Sequence, residues 1–67
     1  MTEAELRQAH EMFTDLWRFY KRFCDSNNTD EYWEAVDKEA HSFRRKYQTK
    51  MAKDLISMLV NDFERRA

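Results

Sequence analysis

The chain of 67 residues contains no glycine and no proline. At average usage of about 7% and about 5%, a chain of this length would carry roughly eight such residues. Without them, left-handed turns and tight β-hairpins are hard to build. The sequence therefore predicts helices that are joined by connections of Asn, Asp, Ser and Thr.

The first third of the chain has the apolar spacing of a single helix. Thr2 and Glu5 fit a capping box, in which both side chains satisfy free backbone N–H groups at a helix start. Apolar residues then recur at alternating spacings of three and four, which is typical of a packed helix face: Leu6, Ala9, Phe13, Leu16, Tyr20 and Phe23. Four residues widen this stripe, namely Trp17 and Cys24 on one flank and Met12 and Phe19 on the other. We expect a helix over residues 3–25.

A polar cluster from Asp25 to Thr29 ends this pattern and predicts a turn. Asn28 or Thr29 then caps a second helix, which we expect over residues 29–47. Its stripe repeats the same spacing: Trp33, Val36, Ala40, Phe43 and Tyr47.

The second helix cannot simply continue, because its stripe would then pass through polar residues: Lys50, Asp54, Ser57 and Asn61. A turn at Gln48 and Thr49, with Thr49 capping a third helix over residues 50–66, removes this conflict. The third helix has its own apolar set: Met51, Ala52, Leu55, Ile56, Leu59, Val60 and Phe63. The alternative is one long helix with faces pointing both ways, as in a swapped dimer. We predict an all-α fold, an antiparallel three-helix bundle that forms a single domain over residues 1–67.

Composition argues against several classes of function. The net charge of −1 argues against a globally basic nucleic-acid binder. A chain this short has little room for a catalytic cleft, so we expect no enzyme, no cofactor and no small-molecule substrate. With one cysteine, no signal peptide and no apolar run long enough to span a bilayer, a cytoplasmic location is expected.

The segment "DLWRFYKRF", Asp15 to Phe23, interleaves four aromatic residues with three cations, as nucleic-acid-binding surfaces often do. Helical periodicity assigns Leu16, Trp17, Tyr20 and Phe23 to the core side, and Arg18, Lys21 and Arg22 to solvent. Phe19 lies at the edge of the stripe. The interpretation is a core stripe that is backed by a charged surface.

A second basic run contains five cations and no acidic residue, and it surrounds the corner between the second and third helices: Arg44, Arg45, Lys46, Lys50 and Lys53. Such a corner is a candidate phosphate-binding site for a nucleic-acid partner. The alternative is that Arg44 to Lys46 complement the negative end of the second helix dipole.

Metal chemistry has weaker support. His10 and His41 would lie at similar heights, with Glu11, Asp15 and Asp37 nearby. No Glu-x-x-His or His-x-x-x-His spacing is present, so we expect no metal site and no catalytic residue. Cys24 lies on a stripe flank, which argues for packing.

Five apolar residues lie on stripe edges or outside them, more than a small bundle easily covers: Met12, Phe19, Tyr32, Met51 and Met58. Exposed apolar patches often mark interaction sites, and methionine and aromatic residues are favoured at interfaces. The alternative is that these side chains fold back over the core. We predict a protein-interaction module, most simply a two-fold homodimer that buries part of the third helix or the Met12/Phe19 edge.

The segments "DEYWEAVDKEA" and "KYQTKMAKDLISMLVNDFERR" resemble those of small uncharacterised helical proteins of Gram-positive bacterial prophages and mobile elements. The similarity covers much of the chain after residue 29. It contains no catalytic motif, and it implies an accessory protein of phage or mobile-element type without assigning a role to any residue.

Overall fold

The structure is a computed structural model that describes residues 1–25 and 27–67. These residues form three α-helices: α1 (Glu3–Phe23), α2 (Asp30–Lys46) and α3 (Lys50–Arg66). Each helix packs against the other two, which confirms the predicted all-α three-helix bundle. Phe63 near the end of α3 contacts Phe19 near the end of α1, so these two helices run parallel and α2 runs antiparallel to both.

Threonine caps the start of each helix, as predicted for α1 and α3, and for α2 the cap is Thr29 of the two predicted candidates. The hydroxyl oxygens of Thr2, Thr29 and Thr49 accept hydrogen bonds from the backbone N–H groups three residues later, at 3.2, 3.1 and 3.1 Å. Each bond satisfies one of the N–H groups that a helix start leaves free. The bounds differ slightly from the predicted ones, because α1 ends at Phe23 and α2 starts at Asp30.

Both connections are built without glycine. Asn28 adopts a positive φ of 55°, a conformation that asparagine tolerates better than most residues. Between α2 and α3, Tyr47 and Thr49 have extended backbone conformations, so the chain turns where polar residues interrupt the apolar stripe. Ser26, which belongs to the predicted turn, lies outside the described residues.

The buried core contains residues of all three helices: Met12, Phe19, Phe23, Tyr32, Val36, Ala40, Phe43, Tyr47, Ala52, Ile56 and Phe63. Met12, Phe19 and Tyr32 are therefore inside the single chain, and their predicted location at exposed stripe edges is wrong. The Tyr32 hydroxyl also donates a hydrogen bond to the carbonyl oxygen of Phe23, which holds the end of α1 to the start of α2.

The inward face of α1 differs from the predicted one. Leu6, Phe13 and Trp17 are 56%, 49% and 57% exposed, although the sequence pattern assigned them to the core side. The centre of the buried face is shifted around the helix towards Met12 and Phe19. Apolar residues cover so much of the circumference of α1 that their periodicity does not define the centre of the stripe.

Candidate protein-interaction surface

One side of the bundle exposes large apolar side chains from two helices. On α1 these are Leu6, Phe13 and Trp17, and on α3 they are Met51 and Met58, which are 51% and 65% exposed. We call these five residues the α1/α3 face. Met1 is also exposed, at the end of the chain.

Ring contacts place the α1 part of this face beside α3. Tyr20 contacts Phe63 of α3, with 5.7 Å between ring centroids, and Trp17 stacks on Tyr20 at 6.0 Å. Phe13 and Leu6 precede Tyr20 by seven and fourteen residues, so they lie along nearly the same line of the helix surface. The exposed row of α1 therefore lies on the side that turns towards α3.

The α3 part of the face lies beside α1. Met51 lines a hollow of about 240 Å³ together with Met1, Glu5 and Gln8 at the start of α1. Met58 follows Met51 by seven residues and lies near the same line of α3. Leu55 and Leu59, both half-buried, pack against the core. By helical periodicity they lie between the methionines and the buried face of α3. The apolar side chains of the two helices thus form adjacent rows.

The opposite side of α1 is polar and is tied to α2. The Tyr47 hydroxyl donates a hydrogen bond to Oδ2 of Asp15 at 2.5 Å, and Nζ of Lys46 lies 2.9 Å from the same oxygen. Lys46 also pairs with Glu11 at 3.0 Å, and Arg22 pairs with Glu39 at 3.0 Å. These contacts hold the Asp15 side of α1 against α2, and the Trp17 side lies away from them.

The Asp15 contacts shift the pKa values of the groups involved. The bonds from Tyr47 and then Lys46 lower the pKa of the Asp15 carboxyl, because both stabilise its charged form. The bond to Asp15 raises the pKa of Lys46. Burial, followed by the bond to Asp15, raises the pKa of Tyr47. The three groups therefore bind each other most strongly when Asp15 is a carboxylate, Lys46 is an ammonium group and Tyr47 is a neutral phenol.

Beside this contact lies an open groove of about 310 Å³ between α1 and α2. Its apolar floor includes Phe19, Phe23 and Phe43, and its rim carries Arg18 and Arg22. Asp15 and Glu39 also line the groove and offset part of this positive charge.

The predicted phosphate-binding corner is largely engaged within the chain. Arg44 donates a hydrogen bond to Ser57 at 3.2 Å, and Lys50 pairs with Asp54 at 2.8 Å. Lys46 points to the other side, where it meets Asp15. Arg45 and Lys53 make no ion pair with any residue that the structure describes. The corner thus offers fewer free cations than its sequence suggests.

The segment Asp15 to Phe23 also differs from its sequence interpretation. Phe19, which the pattern left at the edge, is 7% exposed, and Trp17 is the open ring. Nζ of Lys21 lies 5.6 Å from the centroid of the Trp17 ring. One aromatic side chain and one cation are therefore adjacent at the surface, where the sequence predicted separation.

His10 and His41 are both exposed. Within residues 1–25 and 27–67, no group of three or more His, Cys, Asp or Glu side chains is placed to hold a metal ion. None of the helices in these two ranges has the length and apolar character that crossing a membrane requires.

Comparison with protein-family models, with curated proteins and with solved structures returned no match to this chain. The geometry of the chain itself is therefore the basis for assigning a function.

Proposed function

We propose that this chain is a protein-interaction module that associates with a second copy of itself through the α1/α3 face. The observation that supports this most directly is the exposure of Trp17 at 57%, in a row with Leu6 and Phe13. Tryptophan is enriched among the residues that dominate binding energy at protein interfaces. Methionines in the adjacent row supply flexible apolar contacts.

The size of the face supports a dimer. Taking about 200 Å² for a large apolar side chain, exposures near one half give the five residues an apolar area on the order of 500 Å². The largest apolar patch on a typical monomer covers roughly 300–600 Å² and is often functional, so this face has the size of an ordinary binding patch. If two copies cover this area on each other, the total removed from water is on the order of 1,000 Å², which is about the lower bound for a specific interface.

Nucleic-acid binding is the second candidate function. It is favoured by the pairing of Lys21 with the exposed ring of Trp17, and by Arg45 and Lys53, which form no ion pair with the residues that the structure describes. It is disfavoured by the intramolecular contacts of Arg44, Lys46 and Lys50. Trp17 and Phe13, with Lys21 beside Trp17 alone, make a small platform for stacking bases, so self-association remains the main proposal.

The resemblance to small prophage and mobile-element proteins supports an accessory role in such an element as part of the same proposal. Cys24 is a free thiol, in keeping with a reduced cytoplasmic setting. The proposed activity is binding, with no catalytic residue.

Sedimentation equilibrium from micromolar to millimolar concentration tests the proposal. We expect the apparent mass to rise from the monomer value of 8.3 kDa towards twice that value. The Trp17→Gln variant should stay closer to the monomer mass, and Glu34→Gln on the surface of α2 is the matched control. A monomer mass at every concentration would refute self-association. Equal association of wild type and Trp17→Gln would place the interface elsewhere.

The second candidate is tested by titrating labelled single-stranded DNA and RNA at low and moderate salt. Binding that weakens with salt and is lost in Arg45→Gln and Lys53→Gln would establish the basic corner as a nucleic-acid site. The absence of salt-sensitive binding would eliminate this function.

A further inference from the structure

The α1/α3 face consists of two parallel helices, so both helix dipoles point in the same direction. This arrangement limits how a second copy can dock. A two-fold axis parallel to the helices would make all four helices parallel and place like ends together. A two-fold axis that lies in the interface and runs across the helices sets α1 against α1 and α3 against α3, with opposite directions and complementary helix ends.

The two ends of α1 carry opposite charges, with Glu3 in the first turn and Lys21 in the last. Glu3 and Lys21 are eighteen residues apart, which is about five full helical turns, so they lie on one line about 27 Å apart. Lys21 lies over the Trp17 ring and therefore borders the exposed row. Neither residue makes an ion pair within the part of the chain that the structure describes. An antiparallel second copy brings each lysine to the other copy's glutamate.

The apolar residues fit the same axis. The midpoint between Glu3 and Lys21 falls beside Phe13, so the two Phe13 rings meet near the axis. Leu6 and Trp17 lie on either side of nearly the same midpoint, so each leucine faces the other copy's tryptophan. Their midpoint and that of the charged pair differ by less than one residue of rise, about 1.5 Å. The charged pair and the apolar pair therefore predict the same register between the two copies.

The methionines of α3 follow this register as well. Phe63 of α3 lies level with Phe19 and Tyr20 of α1, so the midpoint of Met51 and Met58 is nearly level with the midpoint of Leu6 and Trp17. An axis at this height brings each Met51 close to the other copy's Met58. Thr14, which lies close to the line that joins Glu3 and Lys21, donates its hydroxyl to the His10 carbonyl at 2.8 Å, so it loses no hydrogen bond when covered.

We propose that two copies associate antiparallel about an axis near Phe13, with Glu3 and Lys21 forming two ion pairs between the copies. This arrangement rests on the proposed self-association. It identifies the partner as a second copy with a defined direction and register, and it assigns separate roles to the two ends of α1.

Cross-linking in a Cys24→Ala background tests the direction. Glu3→Cys and Lys21→Cys proteins are prepared separately, then mixed and treated with a short bis-maleimide. We expect a cross-linked dimer from the mixture and little from either protein alone, and Glu34→Cys mixed with Lys21→Cys is the matched control. Efficient cross-linking of each protein with itself would indicate parallel association and overturn the proposal.

Charge exchange provides an independent readout by sedimentation. Lys21→Glu should weaken association about two- to fivefold for each lost pair, and adding Glu3→Lys to it should restore association. The antiparallel arrangement would be overturned if wild type, Lys21→Glu and the double variant dimerise equally well and no cross-link forms between positions 3 and 21. Self-association itself would still stand. A wild-type protein that stays monomeric would overturn both.

Discussion

The hydroxyl of Tyr47, at the end of α2, donates a hydrogen bond of 2.5 Å to the carboxylate of Asp15, in the middle of α1. Lys46 reaches the same carboxylate oxygen at 2.9 Å. Lys46, the last residue of α2, and Tyr47, which follows it as the cap, thereby hold α1 in one rotation about its own axis. This rotation buries Met12 and Phe19 and leaves Trp17 exposed on the other side.

Replacing Tyr47 with phenylalanine should lower the free energy of unfolding by about 1–2 kcal/mol. The phenol is buried and donates to a charged group, and such bonds contribute more than neutral ones. Urea unfolding at a concentration where the monomer dominates measures the change. Tyr20→Phe is the matched control, because the Tyr20 hydroxyl makes no hydrogen bond with the described residues, and it should change stability by less than about 0.5 kcal/mol. If Tyr47→Phe and Tyr20→Phe lose the same free energy of unfolding, the bond from Tyr47 to Asp15 does not stabilise the fold.

Because of Asp15, the free energy of unfolding should decrease as the pH falls. Its pKa is lower in the folded protein, chiefly through the bond from Tyr47, so its contribution is present above the unfolded pKa of about 4. The contribution is lost as the pH falls through the lower, folded value. Urea unfolding from pH 6 downwards should therefore show a steeper loss for wild type than for Asp15→Asn. Parallel curves would show that Asp15 does not couple folding to pH.

Neighbouring aromatic residues of α1 should respond in opposite ways to substitution. Phe19→Ala removes a ring that packs on Phe23 and Phe63, and such core truncations cost about 3–5 kcal/mol, enough to unfold much of a domain this small. Trp17→Ala should retain the helical circular dichroism spectrum and a cooperative unfolding transition. If Trp17→Ala unfolds the chain and Phe19→Ala does not, the rotation of α1 described above is wrong.

The stability of the fold should depend on Thr49, the residue that caps α3 at the turn from α2. Thr49→Ala removes the acceptor for the Ala52 N–H group and should cost about 1 kcal/mol. Thr2→Ala removes the equivalent bond at the start of α1, where residues 1–8 are all exposed, and should cost less because no buried residue depends on that turn. Thermal unfolding of the two variants side by side measures the difference. A larger drop in thermal stability for Thr2→Ala than for Thr49→Ala would contradict this prediction.

The sequence predicts the helices well, because their signals are local. Each threonine cap precedes the apolar pattern of its helix, and the turn before Thr49 follows from the polar residues that a longer α2 would have placed in its stripe. These features depend on residues within one or two helical turns of each other. They do not require knowledge of how the helices pack.

The rotation of α1 could not be predicted in the same way. Its apolar residues, from Leu6 to Cys24, cover an arc of about 160°, nearly half of the helix, so several rotations bury a similar area. The structure selects one through contacts between residues about thirty positions apart, such as Asp15 with Tyr47. A signal in the sequence is the pair of acidic residues Glu11 and Asp15 on the Met12 side, for which Lys46 of α2 is the cationic partner.

Fluorescence of Trp17 tests most directly whether a second copy covers the α1/α3 face. In a Trp33→Phe protein, Trp17 is the one remaining tryptophan, and in the single chain its ring is open to solvent. As concentration rises from micromolar to millimolar, we predict a blue-shifted emission and weaker quenching by acrylamide, with a midpoint that matches sedimentation. Emission and quenching that stay unchanged while the protein dimerises would contradict the proposed interface.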